Sequence, residues 1–264
     1  MGRITINLIK QIRQWDTPSK IALGAALIGL VLIMLMAATS PSETRTLAVI
    51  GFVGMVFVLQ IIMLWGNRGL VEPFTAAQRL YLAGDLEKAR DILMPICEDD
   101  SADFQELTLL GNIYRQLGEL DKSGALLQRA LDKESEHFFP LYGFGLTLLA
   151  RGDYLGAVKA LEQALSYKDT SAIRFDYAHA LYRAGDEAAS QQMQAVLPEL
   201  EEPYRELMAR YILYLSGQSA SPDADLIHEG IVFWRASAQR FAQTPYGQEL
   251  AQDVQQILNL IEEA

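Results

Sequence analysis

Cysteine, histidine and basic charge are all scarce in this chain, and each scarcity excludes something. The one cysteine, Cys97, cannot build a disulfide framework, which fits a reducing compartment. It falls among apolar residues at helical spacing and reads as a small core residue, not a reactive thiol. The three histidines, His137, His179 and His228, are widely separated, and none stands in an H-E-x-x-H pattern. No phosphate-binding Gly-x4-Gly-Lys-Ser/Thr and no Gly-x-Ser-x-Gly nucleophile turn occurs either. Catalysis, a cofactor and a metal site are therefore all expected to be absent. Beyond residue 71 the chain holds 16 Lys/Arg against 31 Asp/Glu, a net charge of −15. So acidic a region repels phosphate, which excludes nucleic acid as its partner.

What the sequence does have in quantity is apolar residues, unevenly spread. Residues 21–38 and 47–65 carry no charge and consist largely of Leu, Ile, Val, Met, Ala and Gly. Each is about long enough for a helix to cross ~30 Å of hydrocarbon. Eight residues, Thr39 to Thr46, link them, so residues 21–66 read as a transmembrane helical hairpin. Arg3, Lys10, Arg13 and Lys20 precede the first run, whereas the link holds only Arg45 beside Glu43. Positive charge stays on the cytoplasmic side, which places the N-terminus and everything after the second run in the cytoplasm, beneath a cell (inner) membrane. A cleaved signal peptide is the rival reading of the first run, but Met36-Ala37-Ala38 is a poor cleavage site. Residues 1–20 form a basic amphipathic segment: Ile4, Leu8, Ile12 and Trp15 share a helical face, and Asp16-Thr17-Pro18 ends it. Ala22 and Ala26, Ala25 and Gly29, with Gly51 and Gly54, permit close packing of the two runs on each other or on another membrane subunit.

Past the hairpin, four turns recur: Gly84-Asp85, Gly118-Glu119, Gly152-Asp153 and Gly185-Asp186, with glycines 34, 34 and 33 residues apart. Around them apolar residues repeat at helical spacing, as in Leu107, Leu110 and Tyr114, then Leu127 and Ala130. Small residues fall where paired helices would touch: Ala77, Gly111, Gly145 and Ala178 on the first helix, Ala89, Ser123, Ala157 and Ser190 on the second. A fixed 34-residue period predicts a solenoid of helix–turn–helix units.

These residues resemble the tetratricopeptide repeat (TPR) family over roughly residues 70–200, with a weaker fifth unit from Pro203 through Gly217. The large aromatic opening that family's consensus is Pro73, Leu107 and Leu141 here, and its closing proline is Ser101, Ser135 and Asp169. The expected architecture is all-α: the hairpin, then a TPR-like solenoid of four to five repeats over residues 70–217, then C-terminal capping helices over residues 218–264. In those last helices Ile227, Ile231, Trp234 and Phe241 share one face, as do Leu250, Val254, Ile257 and Ile261. They cap the last repeat or dock elsewhere, in a partner or in the domain's own groove.

The resemblance also implies which residues line the concave face: Phe74, Gln78 and Tyr81, then Thr108, Asn112 and Arg115, then Tyr142, Leu146 and Leu149, then Phe175, His179 and Tyr182, continued by Tyr211 and Tyr214. That stripe is aromatic and apolar, suited to a hydrophobic or helical segment of a protein partner. The implied function is a membrane-anchored, non-catalytic scaffold that assembles or recruits a complex, its partners membrane-associated proteins. A homo-oligomer through the hairpin is the structural alternative. Two spans before repeats also resemble, in order alone, the inner-membrane TPR component of Pel-type exopolysaccharide machinery. The cytochrome c maturation repeat subunit is similar too, but its external repeats do not match this charge pattern.

Overall fold

The computed structural model describes residues 12, 15–39, 41–67, 73–98 and 102–262. Apart from Ile12 and Trp15, the helix expected before the first apolar run lies outside them, as do residues 70–72. The described residues form thirteen α-helices and no strand, and divide into two compact units, one up to residue 72 and one from Pro73.

In the first unit α1 (Thr17–Thr39) and α2 (Ser42–Asn67) pair closely. Both are longer than the apolar runs within them. Asp16 accepts a hydrogen bond from the Ser19 amide at 3.1 Å, and Pro18 falls in the first turn, where its missing N–H costs nothing. The helix thus starts before the apolar run does, and the two helices take in Thr39 and residues 42–46 of the expected link. Small residues set the helix approach. A Cβ on Gly29 would stand 3.0 Å from Met55 Cε, and Ile33 reaches the equivalent position on Gly51. Trp15 is buried, its indole lying against Gly66, where any side chain would collide with the ring. Outward, Ile28, Leu35, Ile50, Phe57, Ile61 and Leu64 stand exposed. An apolar exterior of this kind marks a surface that meets another protein or a membrane.

The second unit repeats one device. Helices α3 (Pro73–Leu82) and α4 (Leu86–Cys97), α5 (Phe104–Gln116) and α6 (Leu120–Lys133), α7 (Phe138–Arg151) and α8 (Tyr154–Tyr167), and α9 (Ser171–Arg183) and α10 (Ala188–Val196) are successive pairs. Between partners the chain reverses at Gly84, Gly118, Gly152 and Gly185, all at φ between +72° and +88°, where a Cβ would clash. The amide after each glycine then bonds back to a carbonyl five residues upstream, as Asp153 N does to Leu148 O at 3.0 Å. Gly217 does the same after α11 (Pro203–Leu215), so the turn is made five times.

Side chains start the helices. Asp103 and Glu106 form a reciprocal capping box on α5, and Asp85 and Asp153 cap α4 and α8. In the second and third pairs the predicted glycines are the contact: a Cβ on Gly111 or Gly145 would stand 2.7 Å from Leu127 Cγ or Leu161 Cγ. Ala77, Ala89, Ala157 and Ala178 are fully buried, and Ser123 Oγ meets Thr147 Oγ1 of the next repeat at 2.9 Å.

Candidate functional site: the inner face and its occupant

The first helices of the repeats, α3, α5, α7, α9 and α11, carry the predicted stripe, of which Tyr81, Arg115, Tyr142, Leu146, Leu149 and His179 line one cavity with residues of the last two helices. Helix α12 (Ala224–Arg240) packs first on α11, with Gly230 so close that a Cβ would stand 2.8 Å from Pro203 O. Trp234 Nε1 donates to Tyr204 O at 2.6 Å, and its ring meets His179 edge-on at 5.4 Å and Phe175 at 6.4 Å. The end of α12 reaches the turn of the second repeat, where the position of a Gly118 Cβ is 3.4 Å from Arg240 O. Helix α13 (Pro245–Glu262) then runs back: Pro245 lies against Gly152, Tyr246 against His179, and Asp253 pairs with Arg183. Tyr211 Oη donates to Gln256 Oε1 at 2.5 Å.

This helical pair is part of the core. Ile227, Ile231, Trp234, Phe241, Tyr246, Leu250, Val254 and Ile257 are all at most 7% exposed, in one apolar cluster with Phe175, Leu207 and Tyr211. Amphipathic periodicity alone showed that α12 and α13 each bury a face, without saying against what. They cover α11 of the last repeat, and Trp234 and Tyr246 also reach Phe175 and His179 on α9.

Each predicted stripe residue now has a place. Leu149, Phe175, His179 and Tyr211 are closed off. Thr108 is also fully buried, its hydroxyl spent on Phe104 O at 2.6 Å, and Asn112 is 7% exposed. Phe74, Tyr81, Arg115, Tyr142, Leu146 and Tyr182 are half-buried, whereas Gln78 and Tyr214 are exposed.

Between the α12–α13 pair and the first helices of the repeats remains a cavity of about 280 Å³. Its walls include Arg115, Tyr142, Asp176, His179, Arg205, Trp234 and Arg240. Tyr142 Oη donates to Asp176 Oδ2 at 2.5 Å, and Arg205 stands 3.9 Å from the same carboxylate. Burial raises the Asp176 pKa, against the pull of Arg205 and the tyrosine hydrogen bond. Burial, then the neighbouring Arg183, holds the His179 pKa well below its usual value, so the ring is neutral. Asp176 and Arg205 were missed from sequence. The only available signal was an acid set inside an otherwise apolar helix face. Among the described residues no group of three His, Cys, Asp or Glu could hold a metal ion.

No family model matches this chain, and no curated protein matches it. Solved structures do. A tetratricopeptide repeat protein from Parabacteroides merdae is 13% identical, covering 87% of this chain and 98% of its own, with a TM-score of 0.49. MamA (AMB-1) is 20% identical, covering 74% of this chain and 100% of its own, with a TM-score of 0.46. Likeness at those values decides nothing about activity or partners. Five glycine turns and the helix pairs they join make this chain an all-α, TPR-like repeat protein with its own C-terminal hairpin seated on the inner face.

Proposed function

We propose that this chain is a non-catalytic scaffold, tethered to a membrane by α1 and α2, that binds protein partners through its inner face. The carrying observation is that this face already holds two amphipathic helices, gripped by aromatic anchors at Trp234 and Tyr246. A partner's apolar helical segment fits the same surface chemistry, on the stretch around Phe74, Gln78 and Tyr81 at the first repeat. Tethering would confine that surface to a thin layer, raising its effective concentration for membrane neighbours.

Anchoring is supported by two helices long and apolar enough to cross a membrane, with almost none of their surface buried. The basic residues before α1 support cytoplasmic repeats under an inner membrane. A place in Pel-type exopolysaccharide machinery rests on the order of spans and repeats alone.

A photo-crosslinking residue at Gln78, exposed on α3, is to be compared in native membranes with one at Lys159, exposed on α8. The reading expects a discrete adduct from position 78 that is several-fold weaker from position 159; equal recovery contradicts it. A second reading, self-association through the hairpin, is favoured by Gly24 and Gly54, which face nothing within it. Native gel sizing of the full chain against Gly54→Leu separates the two, since only a hairpin-driven oligomer would shrink.

A further inference from the structure

The cavity beneath the C-terminal hairpin, α12 and α13, has unbalanced charge. Three guanidinium groups line it, those of Arg115, Arg205 and Arg240, and Asp176 is the only carboxylate in its wall. That carboxylate is already engaged by Tyr142 and faces Arg205, which is itself paired with Glu202 at 2.5 Å. Among the described residues Arg115 and Arg240 have no acidic partner within 4 Å, although the repeat unit as a whole is strongly acidic. Two cations facing one another in a partly buried site repel, and Arg240 is correspondingly pushed below its ordinary pKa, by burial first and Arg115 second. Such an arrangement is stable when an anion lies between the two groups.

Orphaned polar atoms point the same way. Arg115 Nε, Arg205 Nε and His179 Nε2 are buried without a hydrogen-bond partner, and His179 is only 1% exposed. A buried polar atom left unpaired costs about 1–3 kcal/mol, so three around one cavity need an explanation. Flat rings, among them Tyr204, Trp234 and Tyr246, supply part of the remaining wall. At about 280 Å³ the space is at the small end of ligand sites, too confined for a folded partner segment.

We infer that this cavity is a binding site for a small organic anion carrying one flat ring, its charge held between Arg115 and Arg240 and its ring against Trp234. The hairpin is then one wall of a ligand site as well as part of the core. This assignment is independent of the partner reading, because it needs neither the membrane nor a second protein.

The chain has three tryptophans, so Trp15→Phe with Trp65→Phe leaves Trp234 as the only one. The full chain in detergent, so altered, is titrated with benzoate, adenosine monophosphate, inorganic phosphate and uncharged adenosine while Trp234 emission is read. Benzoate or the mononucleotide is expected to saturate with a Kd below about 1 mM, phosphate at least roughly tenfold weaker, and adenosine not at all. Arg240→Gln, at an exposed position that leaves the fold intact, should weaken binding roughly tenfold or more. Arg235→Gln, exposed on the same helix and outside the cavity, should change nothing. No saturation by either ring compound up to about 10 mM overturns the assignment. So does full-strength binding by Arg240→Gln, or adenosine or phosphate binding as tightly as the ring-bearing anions.

Discussion

Tyr142 and Asp176 are 34 residues apart in the chain and 2.5 Å apart in space, the phenol donating to Asp176 Oδ2. One repeat length of sequence thus becomes one hydrogen bond between α7 and α9. Asp176 is buried at 9% exposure, so the bond guards a carboxylate that water cannot reach freely. Tyr142→Phe keeps the ring and removes the donor, leaving Arg205 at 3.9 Å as the remaining partner. Urea unfolding of the full chain should show a loss of about 1–3 kcal/mol. A change under about 0.5 kcal/mol would mean the pair contributes nothing.

His179 makes the unit acid-sensitive. Its pKa in the folded chain is well below 6.5, from burial and then from Arg183, whereas the unfolded chain titrates normally. Below 6.5 the unfolded state therefore binds more protons. The stability His179 contributes is complete above that value and is lost as pH falls through it toward the folded pKa. Asp176 has the opposite sign, since a raised carboxylate pKa adds stability only as pH falls toward 3.8. Subtracting a variant without His179 removes the Asp176 contribution and isolates the histidine. The Tm of the parent chain minus that of His179→Leu should decline from about pH 7.5 to about pH 5.5. A constant difference would contradict the buried neutral ring.

Much of this was legible from the residues. The turn glycines predicted the reversals because only a residue without Cβ takes φ near +80° cheaply, and Gly84, Gly118, Gly152 and Gly185 all do so. Gly111 and Gly145 announced close helix contact for a similar steric reason. The destination of α12 and α13 was not legible. Ile227, Ile231 and Trp234 say that a face is buried, but periodicity is a property of one helix and does not name the surface opposite. For the same reason the sequence places Phe175 and His179 on the concave stripe, part of it expected as inter-repeat core, without naming Trp234 and Tyr246 as what rests on them.

Cys97 follows from its surroundings in the other direction. At 2% exposure, with burial raising its thiol pKa to about 12, it has almost no thiolate at neutral pH. Maleimide should label the native chain at least roughly a hundredfold more slowly than the urea-unfolded chain. Rapid native labelling would contradict the packing of α4. Any topology experiment should use an exposed position such as Gln218 in a Cys97→Ala background.

Trp234 is the test of how much the hairpin matters to the fold. It is 3% exposed and touches α9 and α11 at once. Trp234→Ala should cost about 3–5 kcal/mol in denaturant unfolding, the range for a large aromatic removed from a core. Exposed Val232 on the same helix, changed to alanine, should cost under about 0.5 kcal/mol. Similar small losses at both positions would mean that α12 is peripheral.

The most direct test of the account is a double-mutant cycle on Arg183 and Asp253, 70 residues apart and joined as an ion pair with both side chains under one-tenth exposed. Arg183→Met, Asp253→Asn and the pair together are compared by urea unfolding of the full chain. With α13 seated on the inner face, either change alone strands a buried group, and the coupling should reach about 2 kcal/mol or more. Losses that simply add, within about 0.5 kcal/mol, would show that the C-terminal hairpin does not lie there.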